Sequence, residues 1–362
     1  MDKSLLPFFQ PHGVVVIGVS ASPIKPGYAA ARNVAQSGFK GAVHFVSQKP
    51  GELFGRPIYA NVADVPDPVD MAVIVVPAAS TPQALEACGT RGIHAAIILS
   101  SGFRETGPAG AALEAEVVRI ARANSIRVIG PNCVGLANTH LPLDTSFLPS
   151  PFPPSGNVAL ISQSGAIIDV VIDWARSEGL GFSHLMSLGN KADVVEADVL
   201  SVAVEDEHTR VLAMYIEAVL DGKRFVEEAR LAARRKPIVA LKAGRFASGQ
   251  RAAVSHTGAL AGSDAAYSAA FERAGILRAL TNEELFDWTM AFSRCPLPRG
   301  RRVAVLTNAG GPGVITSDAI ESYGLRLAEL SEATRAALRN ILPPASNFNN
   351  PVDMLGLSLI HI

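Results

Sequence analysis

The sequence predicts an α/β fold made of tandem doubly wound parallel-sheet domains. Short, continuous apolar runs such as residues 14–17 and 71–76 are typical of strands that are buried on both faces. Segments of helical length separate these runs, and such alternation predicts a parallel sheet with crossover helices. Proline-rich stretches at residues 149–156 and 295–300 predict linkers. We therefore expect two or three domains in the 362-residue chain.

Composition excludes several classes of protein. Hydrophobic residues make up 48% of the chain and charged residues only 18%, which fits large buried sheets. The net charge of -1 gives no basic bias toward nucleic acid or an anionic membrane. The apolar runs are too short to span a bilayer, and the first residues lack signal-peptide features. Three widely spaced cysteines predict neither disulfides nor a metal site, and a cytoplasmic location is expected.

The first predicted domain covers residues 1–145. Its predicted strands and helices alternate, with strands at 14–17, 42–46, 71–76, 95–99 and 127–129 and helices at 28–37, 81–91 and 109–123. Ligands of such sheets bind beyond the carboxyl ends of the strands.

Two features of this domain bear on its ligand. The loop at residues 18–27 is longer than a dinucleotide-binding turn, and no acid follows the second strand, where NAD would need one. Lys49 lies there instead and suits an extra ribose phosphate, as in NADP or coenzyme A. A solvated turn lysine explains Lys49 equally well.

Three other strand ends, at residues 77–78, 100–102 and 130–133, are polar or turn-like. Together they predict a polar rim for an extended ligand, although each also fits ordinary turn chemistry. Cys133 is not expected to be a nucleophile, because no histidine lies close to it in sequence.

The second predicted domain covers residues 152–296. Its first strand, at 157–161, leads into a helix that opens at Ser164 and Gly165. Such a helix start offers free N–H groups to an anion, although Ser164 also fits a plain N-cap. Further strands at 182–188, 211–216 and 237–241 also end in polar residues.

Glu217 and His256 are the candidate catalytic pair. Glu217 directly follows a predicted buried strand. Its carboxylate could fix the tautomer of an imidazole by accepting a hydrogen bond from one ring nitrogen. The alternative is that Glu217 is an exposed acid at the end of a strand. His256 lies among the small residues of segment 253–262, which leave room around its ring. We interpret it as a covalent phosphoryl carrier, the alternative being a loop histidine with a structural role.

The third predicted domain covers residues 299–356. A strand at 303–306 leads through a glycine loop at 307–313 into a helix, which predicts another anion site. Too few residues follow for a complete doubly wound domain, so we expect a truncated domain. Residues 357–362 are interpreted as an artefactual tail.

Several short motifs occur together in one order along the chain: residues 18–20, 25–27, 100–103, 130–133, 162–165, 187–190, 215–217 and 255–258. In this order they resemble the α-subunit type chain of the NDP-forming acyl-CoA synthetases, relatives of succinyl-CoA synthetase. The resemblance implies a Rossmann-like CoA-binding domain followed by flavodoxin-like domains.

The resemblance also implies a set of site residues. It implies that His256 is phosphorylated and that Glu217 orients the imidazole of His256. The residues implied in phosphate binding are Ser164, Gly165, Asn308, Gly310 and Gly311. The residues implied in coenzyme A binding are Gly18, Ser20, Lys25, Gly27, Lys49, Pro77, Ser100, Gly102, Asn132 and Cys133. No metal ligand is expected in this chain.

The implied reaction converts acyl-CoA, ADP and phosphate into a carboxylic acid, CoA and ATP through an acyl phosphate and a phosphohistidine. No ATP-grasp segment is visible, so ADP or ATP and Mg²⁺ are expected on a β subunit or a C-terminal domain, within a hetero- or homo-oligomer. The main alternative is the CoA-binding scaffold of a protein lysine acetyltransferase whose acetyltransferase domain is missing. A non-catalytic CoA- or nucleotide-sensing module and an NADP oxidoreductase are further alternatives, although the latter explains nothing after residue 150.

Overall fold

The computed structural model describes residues 2–149, 151, 154–249 and 263–356. The chain divides into two compact units, Met1–Cys295 and Pro296–Ile362.

The first unit begins with a seven-stranded sheet. In chain order its strands are β1 (Gly13–Ile17), β2 (Ala42–Val46), β3 (Gly51–Leu53), β4 (Arg56–Tyr59), β5 (Met71–Ile74), β6 (Ala95–Ile98) and β7 (Arg127–Ile129). Their spatial order is β3-β4-β2-β1-β5-β6-β7, and all neighbours are parallel except the edge strand β3. Without β3 this is the Rossmann strand order, whose direction of winding reverses between β1 and β5. The predicted α/β class is confirmed.

The helices of this half cover both faces of the sheet and are α1 (Leu6–Phe9), α2 (Pro26–Gln36), α3 (Thr81–Arg91) and α4 (Pro108–Ala123). Proline occupies the first turn of α2, α3 and α4, where its fixed φ favours the helix and its missing N–H costs nothing. Helix α3 ends at Gly92, whose left-handed backbone allows its N–H to bond back to Cys88 and Gly89.

A second seven-stranded sheet follows in the same unit. Its strands are β8 (Leu136–Asn138), β9 (Leu143–Asp144), β10 (Ser155–Ser162), β11 (Phe182–Ser187), β12 (Val211–Ile216), β13 (Ile238–Lys242) and β14 (Leu277–Ala279). The order is β14-β13-β12-β10-β11-β8-β9, with β8 and β9 antiparallel and the others parallel. The parallel part has the flavodoxin-like order, which reverses between β10 and β12.

Strands β8 and β9 precede the predicted linker but hydrogen-bond into the second sheet. The chain therefore enters the second sheet near residue 136, earlier than the predicted domain limit at 145. The domain limits derived from the sequence stay predictions.

The second sheet is accompanied by the helices α5 (Gly165–Glu178), α6 (Glu196–Ala203), α7 (Gly222–Ala233), α8 (Asp264–Ala274) and α9 (Asn282–Arg294). Side-chain caps fix several of their starts. Asp221 accepts a hydrogen bond from the Arg224 N–H at 3.0 Å, and Thr281 accepts one from the Glu284 N–H at 3.1 Å. In the part of the chain that the structure describes, every helix is too short or too polar to cross a lipid bilayer.

One apolar core joins the two sheets of the first unit. Buried residues of the first sheet, such as Val16 and Phe45, belong to the same contact cluster as Ile161, Met186 and Leu212 of the second. Because protein interiors are close-packed, this shared core holds the carboxyl edges of both sheets in a fixed relation.

Over its described residues, 296–356, the second unit holds two short parallel strand pairs and two helices. Its elements are β15 (Arg302–Val303), β16 (Leu306–Thr307), α10 (Gly310–Ser322), β17 (Arg326–Leu327), α11 (Glu332–Ile341) and β18 (Val352–Asp353). The strand predicted at 303–306 is split, because β15 pairs with β17 while β16 pairs with β18. Between the two pieces, Asn350 Oδ1 accepts the Val305 N–H at 2.8 Å in place of a strand carbonyl.

Candidate functional site

A cleft of about 1800 Å³ lies along the carboxyl edges of both sheets of the first unit. Its wall includes residues that follow β1, β2, β5 and β6 in the first sheet and residues that follow β10 and β12 in the second. Both points where the strand order reverses therefore open into one cavity. Such points are where open α/β sheets bind their ligands.

The loop after β1 forms part of the cleft wall. Gly18, Ser20, Lys25 and Gly27 all line the cleft, as the sequence predicts for coenzyme A. Gly18 has φ +97°, and a Cβ there would lie 2.9 Å from a side-chain carbon of Val76. Only glycine fits this turn, which brings the backbone directly to the cavity wall.

Two exposed lysines belong to the cleft wall. Lys25 and Lys49 both line the cleft and are exposed to solvent. Two cations in the wall of a cavity favour a ligand that carries phosphate groups. For Lys49 alone, a solvated turn lysine remains an equally good interpretation.

The other predicted coenzyme A residues fall into two groups. Pro77, Ser100, Asn132 and Cys133 line the cleft. Gly102 does not line it, and its N–H instead donates to Glu105 Oε1 at 2.6 Å.

Cys133 is unsuited to nucleophilic chemistry. Its side chain is buried, and its Sγ donates to the Ile98 carbonyl at 3.3 Å. Burial raises the pKa of the Cys133 thiol to about 12, so almost no thiolate exists near neutral pH.

Asn190 joins the loops of the two sheets, a link that the sequence analysis missed. Its Nδ2 donates to Glu105 at 2.6 Å and to Glu114 at 2.8 Å, and its Oδ1 accepts from Asn132 Nδ2 at 3.3 Å. Burial raises the pKa of Glu114. The amide therefore holds two neighbouring carboxyl groups and one cleft-wall asparagine together. The family motif contained Asn190, but its partners lie too far away in sequence to be found by spacing.

The start of α5 faces the cleft, since Gln163, Ser164, Gly165 and Ala166 all line it. Ser164 is the N-cap residue of α5, as the alternative has it, but its side chain makes no capping hydrogen bond. Instead, the Ser162 hydroxyl accepts the Ser164 N–H at 3.1 Å and donates to the Ser164 carbonyl at 2.7 Å. The helix start thus keeps its first-turn N–H groups and its positive dipole end toward the cavity.

Glu217 lies directly beyond β12 and also lines the cleft. It is only 7% exposed, so the alternative of an exposed strand-end acid is wrong. Gln163 Oε1 accepts the N–H groups of Glu217 and Ala218 at 2.8 and 2.9 Å. The neighbouring strands β10 and β12 thus bring the backbone of Glu217 next to Gln163, in the same cleft wall as the α5 start. His256, its predicted partner, lies outside the described residues.

The second predicted phosphate site belongs to the second unit. Asn308, Gly310 and Gly311 are exposed around the start of α10. Thr307 repeats the arrangement of Ser162, because its hydroxyl accepts the Ala309 N–H at 3.1 Å and donates to the Ala309 carbonyl at 2.9 Å.

The start of α10 also has an acidic neighbour. A Cβ built on Gly310 would lie 3.2 Å from Asp353 Oδ2. Like the α5 start, which has Glu217 near it, this helix start therefore has a carboxylate close to its N–H groups. Over the described ranges of both units, no cluster of three or more His, Cys, Asp or Glu side chains could hold a metal ion.

Comparison with protein-family models matches three parts of the chain. Residues 12–139 match a CoA binding domain, residues 155–292 a succinyl-CoA ligase like flavodoxin domain, and residues 303–358 a Ligase-CoA domain. The first two matches correspond to the two sheets that border the cleft.

Curated relatives cover nearly the whole chain. It is 45% identical to the acetate–CoA ligase [ADP-forming] I subunit alpha of Pyrococcus furiosus, over 98% of this chain and 77% of that protein. It is 44% identical to the acetate–CoA ligase [ADP-forming] of Methanocaldococcus jannaschii, over 98% of this chain but 50% of that protein.

Among solved structures, the dinucleotide forming acetyl-coenzyme A synthetase 1 of Ca. Korarchaeum cryptofilum, in complex with phosphate and ADP, superposes with a TM-score of 0.92. It is 40% identical over 98% of this chain and 76% of that chain. These relatives support the ligase interpretation and not the acetyltransferase alternative. The chain belongs to the family of ADP-forming acyl-CoA ligases related to succinyl-CoA ligase, and it is of the α-subunit type.

Proposed function

We propose that this chain performs the CoA-dependent half of the ADP-forming acyl-CoA synthetase reaction. In the overall reaction, acyl-CoA, ADP and phosphate are interconverted with a carboxylic acid, CoA and ATP. The single observation that carries the proposal is the cleft itself. Its wall holds the two lysines after β1 and β2 together with Glu217 and the start of α5. A long ligand with phosphates at one end and a reactive thioester at the other fits that arrangement.

The first chemical step takes place at the α5 end of the cleft. Coenzyme A lies with its phosphates near Lys25 and Lys49 and its thioester toward Ser164 and Gly165. A phosphate oxygen attacks the thioester carbonyl, the C–S bond breaks, and CoA leaves as the thiolate while an acyl phosphate forms. The N–H groups at the start of α5 compensate the negative charge of the phosphate. Phosphoryl transfer requires such compensation.

The second step uses the predicted catalytic pair. One imidazole nitrogen of His256 attacks the phosphorus of the acyl phosphate, the P–O bond to the acyl oxygen breaks, and the carboxylate leaves. Glu217 accepts a hydrogen bond from the other ring nitrogen and so stabilises the cationic phosphohistidine. The phosphoryl group then passes to ADP.

ADP and Mg²⁺ are proposed to bind an ATP-grasp β subunit or C-terminal domain, within an oligomer. Support comes from relatives named as α subunits and from the related synthetase structure that holds phosphate and ADP. Acetate is the proposed acid, because relatives at 43–45% identity carry that name. A cytoplasmic location is also proposed, since all three cysteines are free.

Incubation of the chain with labelled acetyl phosphate tests the proposal. We expect an acid-labile, base-stable label on His256 that disappears in His256→Asn. The exposed His94 provides a matched control, and His94→Asn should keep the label. Label that persists in His256→Asn at the wild-type level would overturn the role of His256.

A further inference from the structure

The turn after β12, residues 217–219, is fixed by side chains from three other segments. Beyond the two hydrogen bonds to Gln163, the Ala218 carbonyl accepts a hydrogen bond from Lys191 Nζ. The Val219 N–H donates to Tyr267 Oη at 3.0 Å. The polar backbone groups of this short turn are thus held by side chains that come from distant parts of the chain.

Lys191 is an unusual group to hold a backbone carbonyl. It is 1% exposed, and its Nζ lies 2.6 Å from Glu196 Oε1, which is itself buried. A buried ion pair gains little net stability, because the desolvation of both charges offsets their attraction. The buried Lys191–Glu196 pair therefore indicates a role in holding the turn at residues 217–219 in place, rather than a role in stabilising the fold.

Tyr267 holds the other end of the turn from α8. Its ring lies against the buried Lys242, whose Nζ is 4.6 Å from the ring centroid. Lys242 ends β13, the neighbour of β12, so the ring is anchored against the same sheet. Its hydroxyl is thereby presented to Val219 in a fixed place.

We propose that Lys191, paired with Glu196, and Tyr267 are positioning residues for the Glu217 carboxylate. They fix the carbonyl of Ala218 and the amide of Val219, so that the carboxylate keeps one place at the edge of the sheet. This inference rests on the proposed function, in which Glu217 orients the imidazole of His256. A displacement of about 1 Å can slow catalysis by about a hundredfold, so a rigid turn matters for the rate.

A double-mutant cycle on the full chain tests this role. The single-turnover rate of phosphorylation by acetyl phosphate is measured for wild type, Lys191→Met, Glu217→Gln and the double variant. We expect Lys191→Met to slow the reaction about tenfold in the wild-type background and less than about twofold in the Glu217→Gln background, because it acts through that carboxylate. CoA affinity should change by less than about twofold.

Lys236 provides a matched control. Lys236 precedes β13, and like Lys191 it holds backbone: its Nζ donates to the carbonyls of Ala203 and Asp206. Lys236→Met should lower stability in the same way but leave the phosphorylation rate unchanged. An equal slowing by Lys191→Met in both Glu217 backgrounds would overturn the inference.

If Lys191→Met does not fold, Tyr267→Phe takes its place in the double-mutant cycle with Glu217→Gln. This variant removes only the hydroxyl that accepts the Val219 N–H and keeps the ring against Lys242. We expect a slowing of about threefold to tenfold, again only when Glu217 is present. A wild-type rate in Tyr267→Phe would overturn its part of the inference. Phosphorylation of Glu217→Gln at the wild-type rate would instead overturn the proposed function, a separate outcome of the same cycle.

Discussion

Gln163 Oε1 lies 2.8 Å from the backbone nitrogen of Glu217 and accepts its N–H. The same oxygen accepts the next N–H along the chain, that of Ala218 at 2.9 Å. Gln163 follows β10 and Glu217 follows β12, so one side chain joins the two strand ends where the winding of the second sheet reverses. Gln163, which precedes the N-cap residue Ser164 of α5, thereby fixes the backbone of Glu217, the candidate catalytic residue.

The first prediction concerns this contact. Gln163→Leu has a similar volume but leaves two buried N–H groups without their acceptor, at about 1–3 kcal/mol for each group. We expect phosphorylation by acetyl phosphate to slow about tenfold, measured in a single turnover, while CoA affinity falls by less than about threefold. Gln36→Leu, at an exposed position of α2, is the control and should match wild type. Equal rates in both variants would contradict the role of Gln163.

The second prediction concerns the start of α5. A Cβ on Gly165 would lie 2.3 Å from Val134 Cγ1, so Gly165→Ala forces the helix start and the stiff, β-branched Val134 side chain apart. We expect phosphorylation to slow by about tenfold or more, because the N–H groups that face the phosphate move. Val134→Ala removes the clashing carbon, and the double variant should recover most of the rate.

Gly222 provides the matched control for this prediction. It is the first residue of α7, as Gly165 is of α5, but a Cβ there would have no atom within 4 Å. Gly222→Ala should leave the rate unchanged and raise the free energy of unfolding by a few tenths of a kcal/mol to about 1 kcal/mol. If Val134→Ala fails to improve the rate of Gly165→Ala, steric displacement is not the cause.

The third prediction concerns pH. Burial raises the pKa of Asp144 to about 6 from its usual 3.8, against the hydrogen bonds from Ser146. The native state then holds a proton that the unfolded state has lost, so stability falls as the pH rises from about 4 to 6. The free energy of unfolding falls by about 3 kcal/mol at most over this range.

The Asp144→Asn variant cannot titrate at this position, so its free energy of unfolding should not show this fall. Urea unfolding should therefore show that the variant gains stability relative to wild type between pH 4 and pH 7. The exposed Asp287→Asn should show no such gain, and an equal pH dependence in all three proteins would contradict the prediction.

The fourth prediction concerns the cysteines. Cys88 and Cys133 are buried, and burial raises the pKa of each thiol to about 12, whereas Cys295 is exposed. Iodoacetamide at pH 8 should therefore modify the folded chain only at Cys295, and mass spectrometry should find all three modified in urea. Phosphorylation should survive this labelling. Rapid modification of Cys133 in the folded chain would contradict its burial.

The sequence was sufficient for the fold class because its buried parallel strands are continuous apolar runs. The predicted runs at 42–46, 127–129 and 211–216 have the same limits as β2, β7 and β12. Strands β8 and β9 were not predicted, since Leu136–Asn138 and Leu143–Asp144 are too short to show a period and are fixed by pairing with β11 and each other.

The site was predictable to the extent that its residues follow strands directly. Glu217 and Ser164 were found in this way, because the carboxyl ends of parallel strands meet at one edge. Residues that act across long sequence distances were not found. Lys191 contacts Ala218 and Asn190 contacts Glu105, and no local pattern encodes either contact. Lys191 also has φ +57°, a conformation that its residue type does not signal.

The most direct test compares the phosphorylation rate of Glu217→Gln with its affinity for CoA. The rate is measured in a single turnover with labelled acetyl phosphate, the label is mapped to its residue, and CoA binding is measured by calorimetry on the same preparation. The proposed mechanism predicts a label on His256 in wild type, a rate about a hundredfold lower in Glu217→Gln, and a CoA affinity within about twofold of wild type. A wild-type rate in Glu217→Gln, or a label on any residue other than His256, would contradict it.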